Sequence, residues 1–285
     1  MVPAPGHWRF GGALAGTPIH IEHIEDDDFY NVVPYWHVQS LIVTELDGSA
    51  VRGIGPGIGV SVTVPLRMVR DRIHYLDLAR QPYTPPFPDY HHRNETLFHP
   101  GDVAVGLPLT RPFGAWTLGA SPGVSLPTGK TEPDPFALGD LGLPHQHIQF
   151  GTGTFDPLLG VSATRALGAA TVTASGSAHL TLYSNRHGYR AGDRFALGAG
   201  AGRKLGQDWN ASAGLAFLNE QAERWHGRIQ SEGNLGRTDL NLALGLGRTI
   251  GSSGVWSLNA QVPLASHSNG NQVRYPVIFG LGWSR

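Results

Sequence analysis

Apolar and polar residues alternate strictly along positions 237–264. In the first half, leucines take every second position and small or polar residues fill the positions between them: Leu240, Leu242, Leu244 and Leu246 against Asp239, Asn241, Ala243 and Gly245. The alternation resumes after a Gly/Ser-rich turn, with Trp256, Leu258, Ala260 and Val262 against Ser257, Asn259 and Gln261. A period of two predicts strands, and the short turn predicts that they pair as an antiparallel hairpin.

The polar face of this hairpin carries almost no charge, unlike the water-facing side of a soluble sandwich. An apolar face opposite a small, uncharged polar face is typical of strands that separate lipid from a polar lumen. The pattern recurs along the chain, and no charged residue falls in the middle of a predicted outward face. An arginine there would cost about 2–4 kcal/mol.

About twelve strands are expected, joined alternately by short and long connections. This predicts an all-β fold, a transmembrane antiparallel up-and-down β-barrel with short periplasmic turns and long outer loops. The barrel forms one domain over residues 1–285. The predicted long loops are residues 16–31, 79–100, 127–149 and 220–236.

The early part of the chain has less regular faces. Residues 7–15 predict a first strand, and residues 33–44 have a strand-like composition without two separable faces. Residues 45–56 are rich in Gly and Asp and predict a turn region. Residues 57–68 alternate clearly and predict a strand that can continue to about Leu78.

The alternation also assigns side chains to the lumen and to the membrane boundary. Five tryptophans fall at the short-turn or terminal ends of their strands, where a girdle of amphipathic rings is most stable. These are Trp8, Trp116, Trp209, Trp256 and Trp283. The predicted lumen-facing residues are Thr117, Ser121, Ser125, Thr173, Ser177, His179, Asn210, Asp239, Asn241, Asn259 and Gln261.

Composition agrees with a barrel. Charged residues make up 15% of the 285 residues, against about 25% in ordinary soluble domains. The net charge of -1 argues against a nucleic-acid partner. The chain has no Cys and therefore no thiolate metal site. The first residues lack an apolar signal segment, so we expect a signal to precede them in the precursor.

Histidine is unusually frequent, with 14 residues. The loop that holds His20, Glu22, His23 and Asp26 combines imidazole and carboxylate groups that suit a divalent transition metal. His145 and His147 share one face of an extended segment and form a second candidate pair. The alternative is a solvated acidic outer loop, bridged to lipopolysaccharide by divalent cations. No fixed ligand spacing favours metal, so no cofactor is expected.

A hydrolase is the remaining enzymatic alternative. Ser175, Ser177 and His179 share one inward face, and Asp239 lies on another, which is a conceivable nucleophile arrangement. Any polar lumen also contains such residues, so the sequence favours a protein that is not an enzyme.

Four phrases occur in order at predicted strand ends: residues 101–107 (GDVAVGL), 125–130 (SLPTGK), 151–157 (GTGTFDP), and 262–264 with 269–272 (VPL, NGNQ). In this order they resemble the phenol-degradation MetA-pathway family of outer-membrane transporters, over about Val33 to the C-terminus. The resemblance implies an outer-membrane barrel that passes small, aromatic compounds. The chain departs from it in ending on Ser284-Arg285 rather than an aromatic residue, and in its acidic and His-rich loops.

Two functions are therefore expected as alternatives. The first is a channel of the Gram-negative outer membrane that passes a small neutral or aromatic solute, because the inward residues are small and uncharged. The second is a non-conducting barrel that serves as scaffold, sheath or metal-binding surface for a partner protein at the loops. Both have outer-membrane lipid and lipopolysaccharide as partners.

Overall fold

The structure is a computed structural model that describes residues 2–25, 33–85, 94–231, 233–269 and 275–285. The strands are β1 (Trp8–Glu25), β2 (Tyr35–Gly55), β3 (Ile58–Leu76), β4 (Pro82–Tyr83), β5 (Thr96–Pro100), β6 (Val103–Gly106), β7 (Leu109–Phe113), β8 (Trp116–Leu126), β9 (Asp156–Leu167), β10 (Ala170–His179), β11 (Tyr189–Arg190), β12 (Arg194–Leu205), β13 (Trp209–Glu220), β14 (Arg224–Trp225), β15 (Arg237–Thr249), β16 (Val255–Ser268) and β17 (Ile278–Ser284). Among these residues one α-helix, α1 (Pro135–Asp140), lies between β8 and β9, and a short 3₁₀ helix spans Gly251–Ser253 between β15 and β16. In the described part of the chain no helix is long and apolar enough to cross a membrane.

The strands close into a barrel. β1 pairs antiparallel with both β2 and β17, and the long strands pair in turn from β17 around to β3, which returns to β2. β11 and β14 form a separate two-stranded sheet, and β4 pairs with the end of β3. β5, β6 and β7 are successive pieces of one barrel strand that lies between β3 and β8. Counted in this way, the prediction of a twelve-strand up-and-down barrel is confirmed.

The barrel has a short-turn end and a loop end. Tight turns join β9 to β10 at Gly168 and β12 to β13 at Gly206, whose φ angles of 62° and 73° favour glycine. Much longer segments join the opposite ends, such as residues 127–155 between β8 and β9. In barrels of this class the short turns are periplasmic, so the long segments lie on the outer side.

The outer wall is apolar where lipid would contact it. Val60, Val62 and Val64 of β3 are all exposed there, as are Leu159 and Val161 of β9. Polar or small residues occupy the alternate positions and face the lumen. This division matches the predicted apolar face toward lipid and polar face toward the interior.

Three predictions about the first hundred residues are wrong. Residues 16–25 are not loop but the second half of β1, and residues 45–55 are not a turn region but the continuation of β2. Residues 96–100, predicted as loop, form β5. Residues 26–31 and 86–93 of the predicted loops lie outside the described part of the chain.

The reason is a reversal of the alternation along β1, β2 and β3. Near the short-turn end their apolar residues face outward, whereas farther up Ile19, Leu41 and Val69 face inward and are buried. His20, Ser40 and other polar residues take the outward positions there. The strands leave the membrane at this height, so that water lies outside them and a packed core lies inside.

That core is completed by the long segment between β8 and β9. Phe150 is only 2% exposed and packs against Ile19, Leu41 and Val69. Earlier in the segment, the Asp134 side chain caps α1 by accepting hydrogen bonds from the backbone of Phe136 and Ala137. The segment therefore folds into the mouth of the barrel.

Candidate functional site

The barrel encloses a cavity of about 1050 Å³ that reaches from the middle of the lumen to the outer loops. Serine, threonine and glycine line its lower part, for example Ser61, Thr63 and Gly160. Higher up, the wall divides into an apolar side and a charged side. The cavity is large enough for a small organic solute.

The apolar side is built by β1, β2, β3 and the inserted segment. Ile19, Leu41, Val69, Ile148 and Phe150 reach the cavity from it. These residues also form the core cluster at the mouth of the barrel, so packing fixes their positions. The face offers an apolar surface with an aromatic ring, which favours contact with an apolar or aromatic molecule.

Three charged residues stand beside this apolar side. Arg67 of β3 forms an ion pair with Glu45 of β2 and donates a hydrogen bond from Nη1 to the Phe150 carbonyl at 3.2 Å. The Phe150 position therefore depends on an arginine as well as on packing. Asp47, two positions below Glu45, also lines the cavity, and its side chain makes no hydrogen bond or ion pair with any described residue.

The charged side begins with a hydrogen-bonded network at the tops of β9, β10 and β12. Asp156 is fully buried and accepts from the Thr154 hydroxyl at 2.6 Å. Its second oxygen lies 3.0 Å from His179 Nε2, and Arg194 Nη2 lies 3.3 Å from His179 Nδ1. Because Arg194 can only donate, His179 Nδ1 accepts and the proton is on Nε2.

A second group of charges continues around the wall on β13, β15 and β16. Arg237 lies 3.3 Å from Asp239 and 3.7 Å from Glu220, and its guanidinium stacks 3.7 Å from the centre of the Tyr275 ring. Asp239 accepts from the Ser266 hydroxyl at 2.6 Å. The charged side is thus internally paired and held in place.

A third cluster fixes the inserted segment to the wall. Asp102, in the break between β5 and β6, accepts from the Gly129 N–H at 2.8 Å. Its other oxygen accepts from the Thr152 N–H at 2.6 Å and hydroxyl at 2.9 Å. A Cβ on Gly129 would lie 2.7 Å from the Gly151 Cα, so the two ends of the inserted segment both need glycine where they pass each other. We call Asp102, Thr128, Gly129, Gly151 and Thr152 the latch.

Three of the four phrases that carry the family resemblance meet in the latch and beside it. The Thr128 hydroxyl accepts from the Val103 N–H at 2.8 Å and lies 3.2 Å from the Gly101 carbonyl. The phrase that starts at Gly151 continues to Thr154 and Asp156 of the charged network. Their spacing in sequence therefore reflects one structural unit that joins the wall to the inserted segment.

The predicted lumen residues lie on the inward side of their strands. Ser121, Ser125, Ser177 and His179 line the cavity directly. The others alternate with outward residues on the same strands, or pair across from inward residues: Thr117, Thr173, Asn210, Asp239, Asn241, Asn259 and Gln261.

The five predicted girdle tryptophans lie together at the short-turn end. Trp8, Trp116, Trp209 and Trp256 have exposed rings, and Trp283 is half-buried beside Trp256, with ring centroids 6.4 Å apart. Arginines stack on three of these rings, at 5.1 to 5.8 Å: Arg52 on Trp8, Arg165 on Trp116 and Arg248 on Trp209. This ring of aromatic and cationic groups suits a lipid–water boundary.

The structure brings the predicted metal ligands together only in pairs. His20 Nε2 lies 3.5 Å from Glu22, on the outer surface of β1. The His23 side chain and Asp26 lie outside the described part of the chain. The His145 and His147 rings are 5.1 Å apart, and His145 Nδ1 contacts the Leu143 carbonyl at 2.8 Å. Among the described residues no three potential ligands form a group.

The conceivable hydrolase arrangement is not assembled. Both ring nitrogens of His179 are engaged, one by Asp156 and the other by Arg194. Asp239 contacts Ser266 and Arg237 instead of the histidine. A serine beside His179 therefore has no free ring nitrogen to take its proton.

Most of the charged residues of the site were not predicted from the sequence. Glu45 and Asp47 lay in a predicted turn, and Arg67, Arg194 and Arg237 stood near predicted strand ends. The alternation of inward and outward positions could have identified them. If each predicted strand is continued to its true end, every one of these charged residues falls on an inward position. Asp156 is the first residue of β9, and Phe150 lies before it in the inserted segment.

Above the cavity, the outer loops form a small packed cap. Trp225 is 1% exposed, lies between Phe136 and Tyr189, and donates its indole N–H to Glu223 at 3.2 Å. Burial raises the pKa of Glu223 above its usual value. Glu223 thus brings a carboxyl group with a raised proton affinity to the top of the cavity.

No family model and no curated protein matches the sequence. Solved structures do match its fold. The COG4313 outer membrane channel from Pseudomonas putida F1 aligns with a TM-score of 0.63 and 13% identity, over 100% of this chain and 97% of that chain. A mutant of the TodX monoaromatic hydrocarbon channel gives a TM-score of 0.48 and 9% identity, over 99% and 91%. A FadL homologue from Pseudomonas aeruginosa gives 0.44 and 14%, over 97% and 90%. The alignment with the Pseudomonas putida channel shows that the chain has the fold of an outer-membrane β-barrel.

Proposed function

We propose that this chain is a channel of the bacterial outer membrane that passes a small solute with an apolar or aromatic body. The observation that carries the proposal is the two-sided cavity inside a closed barrel. A uniformly polar pore would suit ions and sugars, whereas an apolar wall opposite fixed polar groups suits a molecule that has both kinds of surface.

Two parts of the cavity wall indicate which class of solute fits. Phe150 and the apolar residues packed on it form one part of the wall, and Arg194, which keeps N–H donors beyond the one at His179, forms another. A phenol or a similar small aromatic would match both. The resemblance to the phenol-degradation family, which rests on the latch phrases, supports the same class. The aligned barrel from Pseudomonas putida is described as an outer membrane channel, which supports a conducting function.

The test is single-channel recording of the refolded protein in a planar bilayer, with and without simple phenols. We expect discrete openings that phenols block. Replacing Phe150 by Ala removes the ring from the mouth of the cavity, so conductance should rise and phenol block should weaken. The matched control is Phe113→Ala, because Phe113 is exposed at the short-turn end, away from the cavity.

Other outcomes would contradict the proposed channel. A correctly folded barrel that shows no openings under any voltage, and no solute uptake in liposome swelling, would contradict the channel. A co-purifying protein or stoichiometric metal would then support the scaffold or metal-binding alternative. Equal conductance in the wild type and Phe150→Ala would remove Phe150 from the solute path.

A further inference from the structure

A row of basic side chains lies on the outward face of β3, directly above the apolar part of that face. Arg70, Arg72 and His74 occupy alternate positions, and all three are exposed. The Arg70 side chain makes no hydrogen bond or ion pair with any described residue. Arg72 donates from Nη1 to the Asp71 carbonyl at 2.8 Å and makes no described ion pair. These arginines therefore keep most of their hydrogen-bonding capacity for a partner outside the barrel.

Their height places them at the outer boundary of the membrane. Outward residues of β3 are apolar from Ile58 to Met68. Ten residues at about 3.3 Å each, tilted by about 40°, cover roughly 25 Å along the membrane normal, which is the height of the apolar band of outer-membrane barrels. Arg70 is the next outward residue, so its guanidinium lies at the level of the outer headgroups.

The charged groups beside this row have partners of their own. The neighbouring Arg80 is neutralised by its ion pair with Glu22, and it stacks on the Trp36 ring at 3.8 Å. Asp71, between the two arginines, faces inward and accepts from Gln39 at 2.7 Å. The charges of Arg70 and Arg72 are therefore not cancelled by a described carboxylate on the same face.

We propose that Arg70 and Arg72 bind the phosphate groups of lipopolysaccharide in the outer leaflet. Successive outward residues of a strand lie about 6.6 Å apart, so two guanidinium groups can contact one phosphorylated headgroup. Arginine binds phosphate oxygens through two parallel N–H bonds and keeps its charge at any physiological pH. The proposal rests on the outer-membrane location stated above and is independent of conduction.

The position of these arginines in the membrane and their positive charge together indicate which lipid they bind. In an outer membrane, the lipid that faces the outer side of the barrel is lipopolysaccharide, whose lipid A carries phosphates at the boundary of the apolar region. The arginines at the opposite rim, such as Arg165 and Arg203, lie at the level of the inner leaflet. They provide a matched control, because they are exposed, outward-facing and equally charged.

The test is native mass spectrometry of the detergent-solubilised barrel with three lipids: bisphosphoryl lipid A, the same lipid without phosphates, and phosphatidylglycerol. The double variant R70Q/R72Q should bind bisphosphoryl lipid A about tenfold more weakly, which corresponds to about 1.4 kcal/mol. R165Q/R203Q should bind as the wild type does. R70K/R72K keeps the charge and should recover part of the affinity.

Three results would overturn the proposal. These are unchanged lipid A binding in R70Q/R72Q, equal wild-type binding of lipid A without phosphates, and a loss of phosphatidylglycerol binding as large as the loss for lipid A. All four substituted positions are exposed, and heat-modifiable migration on gels confirms that each variant is folded. Channel recordings on R70Q/R72Q separate this proposal from the proposed function, because conduction should be unchanged.

Discussion

Asp102 shows how much of the site depends on one carboxylate. It holds the two ends of the inserted segment through three hydrogen bonds at a point where the barrel strand is broken. Pro100 and Pro108 flank this strand piece, and proline has no N–H for the sheet ladder. The wall is therefore interrupted where the segment is attached, and Asp102 takes the place of ladder contacts.

Replacing Asp102 by Ala should release the segment. Each lost bond to the carboxylate is worth about 1.5–3 kcal/mol, and Thr152 and Gly129 would keep unpaired N–H groups. We expect faster tryptic cleavage at Lys130, which limited proteolysis would measure. Asp140→Ala is the control, because Asp140 is exposed at the end of α1 in the same segment. Equal cleavage rates in the two variants would show that the latch does not hold the segment.

Glu223 gives the outer cap a predictable response to pH. Burial raises its pKa in the folded state above 4.5, the value for the unfolded chain. Below 4.5 both states are protonated, and the stabilising contribution is complete. As pH rises through the folded pKa, the unfolded state loses its proton first and this contribution is lost. The cap should therefore be most stable at acidic pH.

The variant Glu223→Gln keeps an oxygen for the Trp225 indole but cannot ionise. Its cap should lose less stability than the wild type between acidic and mildly alkaline pH. Hydrogen exchange of the backbone around Trp225 would measure this, because that ring is buried in the cap. Glu132→Gln, which alters a loop carboxylate paired with Lys130, should leave the pH response intact. A cap that is stabilised by rising pH would contradict the argument.

At the scale of the elements, alternation predicted the strands that cross lipid and failed where strands leave it. In the membrane part of β15 and β16 the apolar residues stay at the outward positions, so the lipid-facing and lumen-facing sides can be predicted from the sequence. β1 and β2 run beyond the membrane, and Ile19 and Leu41 turn inward because Phe150 packs on them. The sequence of β1 or β2 cannot predict that contact, because Phe150 comes from a distant segment of the chain. Strand length was therefore not predictable from either strand alone.

The same limit explains which site residues were found. Ser121, Ser177 and His179 sit on regular membrane strands and were assigned to the lumen from parity. Arg194 was missed because its partner, His179, is across a strand pair and its role depends on Asp156. The latch phrases were recognised as a set from the sequence, but their meeting point at Asp102 required the fold.

For the whole molecule, the charges around the cavity matter more than the small net charge of the chain. Among the described lining residues, acidic side chains outnumber basic ones by five to three: Glu45, Asp47, Asp102, Glu220 and Glu223 against Arg67, Arg194 and Arg237. Most of these groups are engaged in ion pairs or hydrogen bonds. Asp47 is the exception, and it lies below the inserted segment, where the lumen is lined by small residues.

An unpaired carboxylate in a confined lumen attracts cations and repels anions. The open channel should therefore be weakly cation-selective in a potassium chloride gradient, and Asp47→Asn should move the reversal potential toward zero. Asp208→Asn, in an exposed short turn, removes the same charge outside the lumen and should leave the reversal potential unchanged. An anion-selective wild-type channel, or an Asp47→Asn channel as selective as the wild type, would contradict this assignment. Because the measurement reports on ions that cross the lumen, it also tests whether the cavity extends through the barrel.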